Sequence, residues 1–320
     1  MSIFTQQYLS AHTDSDVGNL LNQDGVLAIV GYTGECSAPA TPGIIPSGLT
    51  SLNDVRYEVI RYPFGRAQRG LENGCQWNKI DDLLCVATWI TPAECENMEE
   101  STEQAYNRLL DLARSFGHPH PFRIWNLLPR INYGDGDQEV YKKFCNGRMH
   151  AFTRYGMVAT QYPAASALGH HTDGAVIYML AAKEPSRNLE NSRQVPAYTY
   201  PRQYGPCSPS FARATRLNMA DEEYLFVSGT ASILGHSTHA PGDFLVQLQV
   251  TQENIAHLVA QANGSLSKMS ALRVYLRHPE HLQPARDMLE KIYAPEHLNF
   301  VYADICREQL LVEIEALVEL

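Results

Sequence analysis

The chain has 320 residues, 44% of them hydrophobic and 19% charged, with a formal net charge of -10. That length can bury the core of one large domain or two of ordinary size. An acidic chain without a basic block argues against nucleic acid or an anionic membrane as a partner, and an anionic small molecule would need local Arg residues to bind.

The first clear element is VLAIVGYTG (26–34), a short strand, followed by a Pro/Gly/Ser-rich loop, SAPATPGIIPSG. DVRYEVIRY (54–62) alternates polar and apolar residues and predicts a strand with one buried face. LLCVATWI (83–90) reads as a strand. STEQAYNRLLDLARSFG (101–117) reads as a helix, with a Ser/Thr start, helical apolar spacing and a terminal Gly. FRIWNLLP (122–129) predicts a strand, QEVYKKFCNGRMHAF (138–152) a helix, and MVATQY and AVIYML two more strands. A second series starts with the strand YLFVSGTASILG (224–235) and the helix PGDFLVQLQVTQENIAHLVAQANG (241–264), opened by Pro just inside it and closed by Gly. The strand LRVYLRHP (272–279), the helix EHLQPARDMLEKIY, and the strands LNFVYAD and LLVEIEALV complete it.

The order strand, helix, strand, helix, strand, strand therefore occurs twice, at an offset of roughly 140–150 residues. FRIWNLLP and LRVYLRHP align with a shared Arg, a shared Pro and four apolar positions. Duplication of an α+β unit is the better reading. The segment 183–222 joins the copies and is dense in Pro, Tyr and Arg; a connection this long in a compact chain is usually functional.

The seven Cys (36, 75, 85, 95, 145, 207 and 306) include no CxxC pair, so neither a disulfide framework nor a structural zinc site is indicated. Reduced thiols fit a cytoplasmic protein. MSIFTQQYLSAHTDSD lacks the features of a signal peptide, and no run of about 18 apolar residues predicts a membrane span.

Several groups are candidates for chemistry. On the last strand Val312, Ile314 and Ala316 share one face and Glu313 and Glu315 the other. Two acids there read from periodicity as a solvated strand face; the functional alternative is that one faces a cleft, where desolvation would make it a proton donor. Tyr141 and Arg148 are seven residues apart on a predicted helix and share a face, while Tyr200 and Arg213 lie in the connection. An Arg/Tyr pair suits a carboxylate, and two pairs suit a dicarboxylate. Ser228, Gly229, Thr230 and Ala231 place small residues in mid-strand, for tight packing or for close approach of a ligand. Without a GxSxG elbow Ser228 is a weak nucleophile, and no P-loop or GxGxxG occurs. GHHTDG offers His170, His171 and Asp173, with His236 or His239 as a third ligand for a non-haem iron. His118 and His120 flank prolines and read as loop residues. Cys306, seven residues before Glu313, is a small buried hydrophobe unless it lines the same cleft as the acid.

FRIWNLLPRIN, FCNGRMHAF, PAASALG, ENSRQVPAYTYPRQYGPCSPSFARA, SGTASILGH and ADICREQLLVEIEA together resemble the chorismatases, over about residues 120–320 strongly and over the first third more loosely. The EIE ending also resembles the YjgF/Rid superfamily. The resemblance implies an α+β fold of two fused YjgF/Rid-like (chorismate-mutase-like) halves, each a mixed sheet with helices on one face. Residues 1–185 would form a degenerate N-terminal unit, and 186–320 a C-terminal unit carrying the catalytic Glu, with the active site in the cleft between them. By the same resemblance Glu313 is the catalytic acid, and Tyr141 with Arg148 and Tyr200 with Arg213 are the substrate-binding pairs. Cys306 matches the benzoate-forming members. Ala231 stands near a product-determining position, where Ala rather than Gly departs from the strict 3-hydroxybenzoate type. That combination resembles bacterial enzymes making 3- and 4-hydroxybenzoate for aryl-polyene pigment and ubiquinone pathways. The implied substrate is chorismate, with no cofactor and no metal, and with a trimer and a monomer both open. Three alternatives stay open: a hydrolase giving 3,4-dihydroxycyclohexa-1,5-diene carboxylate, an iron oxygenase built on His170, His171 and Asp173, and a YjgF-type ligand-binding or imine-hydrolysing protein. The long connection counts against the last.

Overall fold

A computed structural model describes residues 2–10 and 14–320. Two seven-stranded mixed sheets carry the architecture. The first runs Gln68–Glu72, Cys75–Ile80, Leu83–Ile90, Ala175–Ala182, His120–Pro129, Ala164–His170 and Asp304–Ile305 in spatial order. The second runs Arg187–Leu189, Ala214–Met219, Glu222–Ala231, Val312–Glu319, Met269–Leu276, Leu298–Tyr302 and Thr50–Ser51. In each, the last strand of the repeat inserts beside the first, and the two middle strands pair in parallel. This is the expected two-halved α+β fold. FRIWNLLP and LRVYLRHP occupy equivalent strands, so Arg123 and Arg273 are equivalent residues.

Each sheet buries one face under its own helices. Met98–Ser115 and Val140–Arg154 cover the first, packing Tyr106, Leu109 and Phe144 on Leu84, Ile124 and Met179. These two helices touch at Gly147, where a Cβ would overlap the Glu99 carbonyl oxygen. Phe244–Gln261 and Leu282–Leu289 cover the second sheet, with Leu248, Ile255 and Leu289 on Leu272, Ile314 and Val318. A third, four-stranded sheet (Thr5–Leu9, Tyr57–Arg61, Val26–Gly31, Ile44–Pro46) precedes the repeat. The inner faces of all three sheets share one core, in which Leu27 and Ile60 meet Cys85, Trp125 and Tyr178, and Phe226, Tyr275 and Leu317. Edge strands cross the expected boundary near 185, since Thr50–Ser51 pairs with Leu298–Tyr302 and Asp304–Ile305 with Ala164–His170.

Several local expectations change. MVATQY is not a strand: it contains a single 3-10 turn, Ala159–Gln161, and the strand is the following Ala164–His170. Small residues pack that strand between two sheets, a tertiary demand that β-propensity does not register. Tyr57–Arg61 is buried on both faces rather than one, because Glu58 points inward to an ion pair. The first long helix starts at Met98, which leaves Ser101 and Thr102 inside it and buried. Pro241 lies outside its helix, which is capped by the Asp243 carboxylate accepting from the Val246 N–H. The EHLQPARDMLEKIY helix is only Leu282–Leu289.

The three sheets are tied by Arg273. Its Nε and Nη2 donate to Glu58 at 2.7 and 2.8 Å, its Nη1 to the Tyr178 hydroxyl at 2.8 Å, and Glu315 lies 3.1 Å from Nη1. Removing one partner from a buried pair strands the other charge, at a cost of roughly 3–5 kcal/mol. Arg273→Met should therefore lower the free energy of unfolding by about that amount in urea titrations at neutral pH.

Candidate active site

One cavity of about 560 Å³ opens where the two halves meet. The first half contributes Tyr141 and Arg148 from the Val140–Arg154 helix, and Ser166 from the small-residue strand. The connection contributes Tyr200 and Arg213, and the second half Gly229, Ala231, Cys306 and Glu313. All seven residues singled out by the family resemblance, Glu313, Cys306, Tyr141, Arg148, Tyr200, Arg213 and Ala231, line this one space. The connection is held against both halves. Ala164 N–H donates to Thr215 Oγ1, Ala165 N–H to Ser228 Oγ, and Ser228 Oγ–H to the Ala212 carbonyl. Ser228 is thus fully engaged in joining strands.

The acidic strand resolves the two readings of its face. Glu313 and Glu315 are 4% and 5% exposed, so neither sits on a solvated surface. Glu315 is surrounded by donors. Arg123 Nη2 and Ser166 Oγ each lie 2.5 Å from its Oε2, Trp125 Nε1 donates to Oε1 at 2.7 Å, and Arg273 adds its charge. Burial works against its charge. Arg123 and Arg273, with the hydrogen bonds from Ser166 and Trp125, outweigh burial and hold its carboxyl below the usual carboxylate range. Glu313 accepts no hydrogen bond among the described residues and faces the cavity. Burial first, and the Glu315 charge second, push it from 4.5 up to about 8, against the pull of Arg123 and Arg213. At neutral pH Glu315 is an anion and Glu313, two residues before it, is an acid.

Space for the acid comes from its neighbours on the adjoining strand. Ala231 pairs directly with Glu313, and a register shift between Val227 and Thr230 places Gly229 beside it. A Cβ at 229 would overlap Glu313 Oε1 and press on Ser166 Oγ. The small mid-strand run therefore serves approach of a carboxyl side chain.

Two guanidinium groups face the same space. Arg148 is 1% exposed, and its Nε and Nη2 have no hydrogen-bond partner among the described residues. A buried cation with open donors of this kind suits an arriving anion. Tyr141 is buried on the same helix face. Arg213 donates from Nη2 to the Tyr200 hydroxyl at 2.7 Å and leaves Nε without a partner. Cys306 lines the same cavity; burial, then the Glu313 charge, push its thiol up to about 12, so it is a neutral S–H.

The sequence pointed to neither Arg123 and Ser166, which set the charge of Glu315, nor Arg307. Arg307 lies over the Tyr204 ring at 3.9 Å and donates to the His236 carbonyl at the cavity wall. An Arg inside the apolar run FRIWNLL is itself the signal for a buried ion pair. GHHTDG gains no third ligand: among the described residues no group of three or more His, Cys, Asp or Glu side chains is arranged to hold a metal ion. His170 is buried and pushed down to about 4 by desolvation, while His171 stacks on Tyr302 and lies 3.8 Å from Asp304. His236 contacts Tyr204. His118 is buried, its ring bonded to the Phe116 and Asp81 carbonyls.

Among the described residues no helix is long and apolar enough to cross a membrane. The family profile described as chorismatase FkbO/Hyg5-like, N-terminal, matches residues 62–181. The chain is 32% identical over 317 residues to a 3-hydroxybenzoate synthase of Streptomyces hygroscopicus, covering 92% of this chain and 91% of that one. It is 33% identical over 302 residues to a chorismatase of Streptomyces rapamycinicus, covering 90% of each. The crystal structure of a chorismatase overlies 98% of the chain and 97% of its own, with a TM-score of 0.85 at 29% identity.

The raised Glu313 also marks stability. Its folded value lies above its unfolded one, so its contribution is full below about 4.5 and is lost as pH rises through about 8. Glu313→Gln should lack this dependence. The stability difference between variant and parent, read by urea unfolding at successive pH values, should grow by about 4–5 kcal/mol over that window.

Proposed function

The chain belongs to the chorismatase family, and from that premise we propose that it converts chorismate to pyruvate and hydroxybenzoate, 3-hydroxybenzoate and 4-hydroxybenzoate both being formed. The observation that carries this reading is the protonated, donor-free Glu313 carboxyl facing a cavity with two incompletely paired arginines. Two units, 1–185 and 186–320, share the cavity as an active-site cleft.

Chorismate has two carboxylates, and each would take one Arg/Tyr pair: Arg148 with Tyr141, and Arg213 with Tyr200. Holding both ends fixes the enolpyruvyl methylene against the acid, and positioning of this kind supplies much of a rate enhancement. Glu313 gives its proton to the methylene carbon, which becomes the methyl group of pyruvate. The resulting oxocarbenium ion weakens the ether bond to the ring, and that bond breaks. For 4-hydroxybenzoate the ring cation loses the proton from the carbon that bears its hydroxyl. For 3-hydroxybenzoate the hydroxyl oxygen bonds to the cationic carbon and gives up its proton. Its bond to the original carbon then breaks as the oxygen is reprotonated, and the carbon now bearing it loses its hydrogen. On either route the ring gives up one proton in net, and this proton restores Glu313. Atoms balance without water, and no redox step is required. Cys306, a neutral thiol, acts as a weak donor to the ring oxygen during aromatisation and helps keep water from the ring cation. Ala231, beside Glu313, shapes the space in which the ring settles and so the isomer formed.

Purified protein incubated with chorismate should release pyruvate and both benzoates, resolved by chromatography. Turnover should fall as pH rises through about 8, where Glu313 loses its proton. Glu313→Gln should reduce kcat by about 10²–10⁴-fold with KM little changed. Near-normal turnover in that variant would sink the assignment.

The hydrolase alternative is tested by the thiol. Cys306→Ala should shift products toward 3,4-dihydroxycyclohexa-1,5-diene carboxylate, with the pyruvate yield maintained. An unchanged benzoate yield would reduce Cys306 to packing, and a parent protein making only the diene would favour the hydrolase.

A further inference from the structure

Two carboxyls on one strand face the same interior, and their surroundings are opposite. Glu315 receives Arg123, Arg273, Trp125 and Ser166. Glu313 receives no donor. Ser166 is the hinge of this difference. Its single proton goes to Glu315 Oε2, while its oxygen accepts from Arg123 Nη2 at 2.7 Å and from the Gly229 N–H at 2.9 Å. The Ser166 hydroxyl is therefore turned away from Glu313 and has no second proton to offer it.

We propose that Glu315 is a positioning residue for the reaction: a permanent buried anion, fixed by Arg123, Arg273, Trp125 and Ser166, that keeps Glu313 in the acid form and turned toward the substrate. This rests on the proposed function of Glu313. The other charged and titratable groups around the two acids fit the assignment. Arg123 is committed to Glu315. Arg273 is shared with Glu58, and Tyr178, Tyr32, Tyr275 and Tyr8 around it are buried neutral phenols. From the cavity side Cys306 is neutral, and Arg213 is engaged with Tyr200 and the Val195 carbonyl. Arg148 and Arg307 line the cavity, and a bound dianion would offset their charge. Glu315 is then the one fixed charge beside Glu313 that favours its proton, and it does so before substrate arrives.

The test is the pH dependence of kcat in Glu315→Gln and Glu315→Asp, together with infrared titration of buried carboxyl groups. In Glu315→Gln the alkaline limb should move down by about one pH unit or more, as loss of a neighbouring like charge does. Turnover at pH 8 should then fall roughly tenfold relative to turnover at pH 6. Glu315→Asp, which keeps the charge, should keep the parental limb. A parental limb in Glu315→Gln, or an equal loss at every pH, would overturn the proposal. The infrared titration does not depend on whether Glu315→Gln folds. In the parent, a protonated-carboxyl band absent from Glu313→Gln should persist to about pH 8, with no second such band from Glu315 between about pH 5 and 8. A protonated Glu315 in that range would overturn it equally. If the parent releases no pyruvate from chorismate, the functional reading falls, while the infrared titration still decides the charge of Glu315.

Discussion

The structure depends on a chain of four buried charges: Glu58, Arg273, Glu315 and Arg123. Two cations alternate with two anions, so the set is neutral as a whole although every member is withdrawn from water. Each charge comes from a different strand, and the strands belong to all three sheets. Hydrophobic contact alone would let three sheet faces slide against one another, because apolar burial has no direction. Bidentate contacts such as Arg273 on Glu58 do have direction, and they fix where the sheets meet. The cavity lies at one end of this chain of charges, so its geometry is inherited from the tie.

The same charges divide the labour between two chemically identical side chains. Glu315 takes the donors; Glu313, two residues away, takes the burial and its neighbour's field. The ionisation of one maintains the proton on the other. Glycine at 229 is part of that division, since any side chain there would occupy the place of the acid. The net charge of -10 makes the local arginines more telling. Under the proposed function, Arg148 and Arg213 supply the attraction for an anion that the chain as a whole would repel.

Much of this was readable from sequence because the repeat is strong. Strand and helix order, the equivalence of FRIWNLLP with LRVYLRHP, and the importance of the Tyr/Arg-rich connection all follow from pattern. The failures have physical causes. Ala164–His170 is mostly small residues, and it becomes a strand by pairing in parallel with His120–Pro129, with Thr215 and Ser228 of the other half binding its first two backbone N–H groups. Glu58 looked like the polar position of an amphipathic strand, because periodicity reports polarity and not whether a partner waits 215 residues away. Glu313 and Glu315 were indistinguishable by alternation. What separates them is Arg123 and Ser166, far off in sequence.

Duplication also explains why one half carries the acid. In the second sheet Glu313 pairs with Tyr275 on one side and Ala231 on the other. In the first, the equivalent neighbours Trp125 and Ala87 flank Tyr178. The place of the acid is thus held by a tyrosine, whose ring stacks on Trp125 at 4.6 Å and whose hydroxyl accepts from Arg273. A phenol there completes the tie between sheets. An acid at 178 would add a third anion to the four-charge chain and leave it unbalanced, which a buried site tolerates poorly. One half could keep a donor-free buried carboxyl because the other gave up the equivalent position to hold the charges in place.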